Sequence, residues 1–356
     1  MGVFYRNLLR PLLFRADPER VHRAALAALP LLPGRRPPEG ARLGIRVAGV
    51  PFVHPVGLAA GYDKEGTGAG LFGRLGFGHV EVGTVTPRPQ TGNPAPRLFR
   101  VPEKGAVVNR MGFNNPGAEA VARNLAARFA ADGRTIRIGV NAGKQKETPL
   151  EEAAADYRAV IGRLLPFADY LVINISSPNT PGLRSLEEAE FLRPLLESAR
   201  EEAERAAGAA GTNRPPLFAK LSPDLPADRL EAAADAARAA RFDGVVVTNT
   251  TVDHSAVAGI LDEEGGLSGR PLAARALEAV RVVRKGVAGE LAIIGVGGVF
   301  SGADAYERIR AGASLVQIYT ALVYEGPGLV RRMVRDLDRL LARDGFRNVE
   351  EAVGTE

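Results

Sequence analysis

Short apolar, β-rich runs recur eight times along the chain, at residues 56–59, 80–84, 136–140, 170–174, 217–221, 244–248, 291–295 and 314–318. Between them lie segments of helical spacing, such as 117–131, 150–165, 187–207, 227–240 and 272–285, and helical character continues through 329–343 after the last run. The runs are too uniformly apolar to leave one face in water, which is the pattern of parallel strands covered by helices. Eight such units in one chain predict an α/β fold of the closed (β/α)8 TIM-barrel type. A doubly wound open sheet is the alternative, and the repeat count favours the barrel.

Two segments fall outside the repeat. The Pro/Gly/Arg-rich stretch 33–40 reads as a linker, dividing a small unit at 1–36 from a barrel at 37–356. In the small unit, Phe4, Leu8, Leu9, Leu12 and Leu13 recur at helical spacing. A second apolar stripe through Val21, Ala24, Ala25, Ala28 and Leu29 follows the helix-start pair Asp17-Pro18. Such an amphipathic helical hairpin either lies on a membrane surface or packs on the body, and the residues alone leave both open. Its longest near-apolar run, Ala24 to Pro33, is ten residues, against the ~20 needed to cross a bilayer. Arginines at positions 6, 10 and 15 interrupt it where a secretory signal would be continuously apolar. The second anomaly is a connection of about thirty residues between the second run and the helix near 117. Loops of this length carry function or structure of their own. A β-hairpin at 98–101 and 106–109, covering the barrel mouth, is expected.

Barrels place their chemistry at the C-terminal ends of the strands. In order, those ends carry Lys64; Thr84; Asn141; Asn174 and Ser177; Lys220; Thr248, Asn249 and Thr250; Gly297-Gly298; and Tyr319-Thr320. A barrel serving structure alone needs no such polar crown. The fourth run delivers the sequence Asn174-Ile175-Ser176-Ser177-Pro178-Asn179-Thr180-Pro181 straight from an apolar strand. Pro178 and Pro181 bar Ser177 and Thr180 from helix, so amides and hydroxyls sit on a stiff loop. Burying them is costly unless a ligand hydrogen-bonds to them. Glycines cluster at 265–269 and 295–298, where unshielded backbone N–H groups can converge on a phosphate. Lys220 leaves an apolar strand and needs a negative partner. It suits either a Schiff base or the neutralisation of an anionic ring, and the neighbouring carboxamides favour the ring. A planar ring plus a phosphate points to flavin mononucleotide.

Composition narrows the classes. The chain has no cysteine, which removes disulfides, thiolate metal sites, protein-held iron–sulfur clusters and a Cys nucleophile. His22, His54, His79 and His254 lack metal-ligand spacing, so no metal is expected. The net charge of +5 resides wholly in residues 1–42, leaving the remainder with 38 basic and 38 acidic residues. That argues for a local basic patch rather than a nucleic-acid-binding face.

Several long motifs resemble one family. They are Gly57-Leu58-Ala59-Ala60-Gly61-Tyr62-Asp63-Lys64, Asn109-Arg110-Met111-Gly112-Phe113-Asn114, the segment from Val172 to Thr180, Val247-Thr248-Asn249-Thr250-Thr251, Gly265-Gly266-Leu267-Ser268-Gly269-Arg270-Pro271, and the segment from Ser314 to Tyr319. In this order they look like class 2, quinone-dependent dihydroorotate dehydrogenase. The resemblance implies oxidation of (S)-dihydroorotate to orotate in pyrimidine (UMP) biosynthesis, with one non-covalent FMN as hydride acceptor and a membrane quinone as final acceptor. It implies Ser177 as the base. It implies flavin contacts from Ala60, Gly61, Tyr62, Asp63, Lys64 and Thr84, from Asn141, Asn174, Lys220 and Thr248, and from Gly269, Gly298, Tyr319 and Thr320. For the substrate it implies Lys64 and the segment Asn109, Arg110, Met111, Gly112 and Phe113, with Asn174, Asn179, Asn249 and Thr250. His22, Arg100 and Tyr319 match positions around the quinone. Class 1 relatives use a cysteine base, which this chain lacks. The resemblance further implies a monomer without obligatory protein partner, attached to an anionic lipid surface at the cytoplasmic face of the cell membrane. A dihydrouridine synthase barrel is the rival reading, and a basic surface spread over the barrel mouth would distinguish it.

Overall fold

The computed structural model describes residues 4–180, 182–187, 189–287 and 289–356. Pro181 and the first three residues of the N-terminal unit lie outside the described residues, as does Glu188 of the expected helix 187–207.

The apolar runs form strands Val56–Leu58, His79–Val85, Arg137–Ala142, Tyr170–Asn174, Leu217–Leu221, Gly244–Val247, Ala292–Val296 and Leu315–Ile318. Each pairs in parallel with the next in sequence, and the eighth pairs with the first, closing the barrel. The open-sheet alternative is thereby excluded. Every residue of the second, fourth and fifth strands is buried, which accounts for runs that are apolar on both faces. Large and small side chains interlock across neighbouring strands. A methyl group on Gly139 would lie 2.2 Å from the Tyr170 ring, so the glycine makes room for it.

Helices follow the expected segments, at Ala118–Asp132, Ala153–Leu164, Ala189–Ala209, Ala227–Ala239, Ala273–Gly286 and Leu329–Arg343. The short helix Gly302–Arg310 adds one element that the apolar spacing did not mark. A reciprocal capping box fixes its start, with Ser301 accepting from the Asp304 amide and the Asp304 carboxylate accepting from the Ser301 amide.

Both ends of the barrel are closed. At the bottom, strands Ile45–Val47 and Val50–Phe52 form a hairpin turning at Ala48-Gly49, both at positive φ. Phe52 meets the His79 ring edge-on at 5.3 Å. At the top lies the expected hairpin Leu98–Val101 and Ala106–Asn109, widened to three strands by Gly266–Gly269. That third strand reads in the sequence as a glycine-rich turn. Glycine is required there because a methyl group on Gly266 would collide with the Thr250 hydroxyl at 1.9 Å.

The N-terminal unit packs on the body as two helical segments. The first runs through the π-turn Tyr5–Leu9 into Arg10–Leu13, and the second is Pro18–Ala28, capped by Asp17 accepting from the Arg20 amide at 2.8 Å. The Tyr5 hydroxyl donates to the Val323 carbonyl at 2.8 Å, and Arg97 grips Glu19 at 2.7 Å. Phe4, Leu8, Leu12 and Leu31 nevertheless stay largely exposed. The hairpin therefore has an inner face on the body and an apolar outer face. Among the described residues no helix is long and apolar enough to cross a membrane.

Candidate active site

Between the strand ends and the three-stranded roof lies a cavity of about 1050 Å³. Its wall includes Ala60, Gly61, Lys64, Thr84, Asn174, Ser177, Lys220, Thr248, Gly269, Gly298, Tyr319 and Thr320, all expected at the site. From the roof and its flanks come Asn109, Met111, Gly112 and Phe113, joined by Asn179, Asn249 and Thr250.

The floor rests on a hydrogen-bonded network centred on Glu81, which projects into the barrel from the second strand with no solvent exposure. Its members Thr84, Asn174, Lys220 and Gln317 line the cavity, whereas Asn141, expected there, lies beneath them. The Glu81 carboxylate accepts from the Asn141 amide at 2.6 Å, the Gln317 amide at 2.8 Å and the Lys220 ammonium at 3.5 Å. Asn141 in turn accepts from the Thr84 hydroxyl at 2.6 Å and from the Asn174 amide at 3.2 Å. A fully buried carboxylate persists only with partners of this kind. Glu81 and Gln317 were not singled out from the sequence. The one available signal was an acidic residue interrupting an apolar strand, His79-Val80-Glu81-Val82.

Above the floor the amides interlock. Asn249 donates to Asn174 at 3.3 Å and to the Ser176 hydroxyl at 3.0 Å. Asn179 donates to Asn109 at 3.2 Å, tying the Ser177 loop to the roof. Ser177 is buried at 5% exposure, and its Oγ accepts from the Asn179 backbone N–H at 3.3 Å. Lys64 faces this cavity from the side, where burial pushes its ammonium down to about 8 despite the attraction of Glu19.

Three expected residues direct their side chains elsewhere. Arg110 pairs with Glu263 at 2.5 Å and stacks over Phe99, away from the cavity. Asp63 caps its own loop, accepting from the Gly68 amide at 2.9 Å, and burial raises its carboxyl to about 6. Tyr62 faces a second cavity. None of the three lines the first cavity.

That second cavity, about 1110 Å³, lies beneath the N-terminal hairpin. It is lined mainly by apolar groups, including Phe14, Val21, Ala25, Leu29, Phe72 and Leu322, with His22 and Arg100 at its wall. Leu98, Val107 and Tyr319 belong to both cavities, so the two adjoin. His22 meets Tyr62 edge-on at 4.6 Å, and burial, reinforced by the Lys64 charge, lowers its imidazole to about 4. Arg100 lies over the Phe14 ring and donates to the Leu13 carbonyl at 3.1 Å.

The donor set suits a planar ring with imide edges and a phosphate. Amides and a cation line the floor. At the other end Gly269 and Gly298 adopt φ of +101° and +71°, where side chains are strained and would strike backbone 2.3 Å away.

Comparison with known proteins identifies the family. The sequence profile of the family described as dihydroorotate dehydrogenase matches residues 42–341. A protein named dihydroorotate dehydrogenase (quinone) from Anaeromyxobacter dehalogenans strain 2CP-C is 53% identical over 98% of this chain and 96% of its own. One of the same name from Rhodospirillum rubrum is 50% identical over 100% of this chain and 95% of its own. Among solved structures, that of DHODH in complex with ferulenol from Eimeria tenella matches with a TM-score of 0.90 at 41% identity, covering 95% of each chain. With identity of this level running nearly end to end, the chain belongs to the dihydroorotate dehydrogenase family, in its quinone-dependent class 2.

Proposed function

We propose that the amide-lined cavity is where (S)-dihydroorotate becomes orotate, with one non-covalent FMN as the flavin of the family and Ser177 as the base. The reaction is that of quinone-dependent dihydroorotate dehydrogenase, a step of pyrimidine biosynthesis. The observation that carries the assignment is the adjacency of two cavities of opposite chemistry, one amide-lined around Ser177 and one apolar beneath the hairpin.

When bound, the flavin supplies a two-electron acceptor for the hydride leaving C6. The chain supplies the rest. Lys64 presents an ammonium for the substrate carboxylate. Asn109, Asn174, Asn179 and Asn249 hold the ring by its amide edges. Their mutual hydrogen bonds fix their orientations in advance. Ser177 Oγ takes the C5 proton as its own hydroxyl proton passes to solvent, and the Asn179 N–H pointing at that oxygen stabilises the negative charge that develops on it during the exchange. Lys220, held by Glu81, would offset the negative charge that a flavin held here gains on reduction.

In this reading residues 1–36 form the quinone-access unit and 37–356 the FMN-binding barrel. The apolar cavity takes the quinone ring, with His22, Arg100 and Tyr319 as its polar contacts. The exposed Phe4, Leu8 and Leu12 with neighbouring arginines attach a monomer to anionic lipid as a peripheral protein, at the cytoplasmic face of the cell membrane.

One anaerobic experiment tests the assignment. Dihydroorotate added to purified yellow protein should bleach the flavin absorbance, and a quinone analogue should restore it. Protein that stays oxidised with excess dihydroorotate would sink the proposal.

A further inference from the structure

Behind the glycine loop of the seventh strand lies a cation that the reaction does not use. Arg308, on the helix Gly302–Arg310, is only 3% exposed. Gly295 makes space for it, since a methyl group there would lie 2.6 Å from its Cγ. One terminal nitrogen of its guanidinium donates to the Gly297 carbonyl at 2.8 Å and to the Ala273 carbonyl at 3.2 Å. The other terminal nitrogen and Nε are buried without a hydrogen-bond partner. Among the described residues no carboxylate pairs with it. Burial accordingly lowers the guanidinium to about 10, against the opposing pull of Glu307 and Asp304. A buried, unpaired charge is unfavourable unless a counter-charge arrives.

The Gly297 carbonyl shares its peptide unit with the Gly298 N–H, and both glycines line the active-site cavity. A cation bound to that carbonyl draws electron density from the amide and strengthens the N–H as a donor on the opposite side. The Ala273 carbonyl, at the start of the helix Ala273–Gly286, is gripped by the same nitrogen, so loop and helix are held together. We propose that Arg308 is a positioning residue for the phosphate of the bound mononucleotide, polarising the Gly297–Gly298 peptide from behind and serving as the dianion's buried counter-charge. It acts through that peptide without touching the ligand. This inference rests on the FMN reading above.

The test uses the full-length protein equilibrated with mixtures of FMN and riboflavin, which share the ring and differ in the phosphate. Bound flavin is released by unfolding and identified by chromatography, giving the preference for FMN directly. Loss of one charge-assisted contact predicts that Arg308→Met lowers this preference about tenfold or more, through FMN alone. Arg308→Lys, which keeps the charge, should stay within about threefold of the parent. Equal weakening of both flavins, or an unchanged preference, would assign Arg308 to packing and overturn the inference. If Arg308→Met does not fold, Arg308→Gln is read instead; if neither folds, the charge serves the fold itself and the inference is likewise overturned. A parent protein that shows no preference for FMN would instead overturn the FMN reading, leaving the two failures distinguishable.

Discussion

Ser177 is an unassisted hydroxyl by its side-chain contacts, with the Asn179 amide N–H as its hydrogen-bond partner. If it is the base, Ser177→Ala should keep flavin and orotate binding while kcat falls about 10²- to 10⁴-fold at neutral pH, the usual weight of general-base catalysis. Unchanged turnover would remove it from that role. Lys64 makes a second prediction at this scale. Its ammonium is lowered from 10.5 to about 8 by burial, so the free site loses positive charge as pH rises through about 8. Carboxylate binding needs the protonated form. The KM for dihydroorotate should therefore be flat below about pH 8 and rise above it, more steeply than any fall in kcat. A KM independent of pH from 7 to 10 would exclude Lys64 as the carboxylate partner. Both residues were legible in the sequence because they follow strand ends, where barrel geometry directs side chains to the mouth. Glu81 was not, because only closure of the barrel brings its carboxylate to Asn141, Lys220 and Gln317. In a single strand the same residue reads as a solvent-facing interruption.

Elements show the same division. The strand Tyr170–Asn174 and the hairpin Leu98–Val101 with Ala106–Asn109 match their sequence boundaries, because short, mainly apolar runs bounded by turn residues leave little choice. The strand Gly266–Gly269 was hidden, since its glycines are imposed by the approach to Thr250 and Gly105 and say nothing of β-pairing. The N-terminal hairpin lay between these cases. Helical periodicity disclosed its segments, whereas the choice between packing and membrane contact depended on which face each residue takes. The inner face closes the apolar cavity through Val21, Ala25 and Leu29. Removing residues 1–36 should accordingly cut quinone reduction far more than reduction of a soluble dye by the same protein, with flavin content retained. Equal loss with both acceptors would mean that the hairpin only supports the fold.

At the scale of the whole molecule, charge and apolar exposure are segregated in the same place. Residues 1–42 carry the entire excess of +5 while the remainder is neutral. The largely exposed Phe4, Leu8, Leu12 and Leu31 occur in the same segment. A neutral body with one basic, apolar-tipped end acquires a preferred orientation at an anionic surface, because each cation near that surface contributes about 1 kcal/mol. The second cavity lies beneath the same end, so attachment would bring its hairpin-lined wall toward the lipid from which a quinone enters. Cosedimentation with vesicles should thus increase with the fraction of anionic lipid and weaken as salt shortens the Debye length to about 3 Å at 1 M. Replacing Phe4, Leu8 and Leu12 by serine should weaken what remains at high salt, because that residue of binding comes from apolar insertion rather than charge. Binding that is indifferent to both lipid charge and these substitutions would place the membrane contact on some other face, and with it the quinone's route of entry.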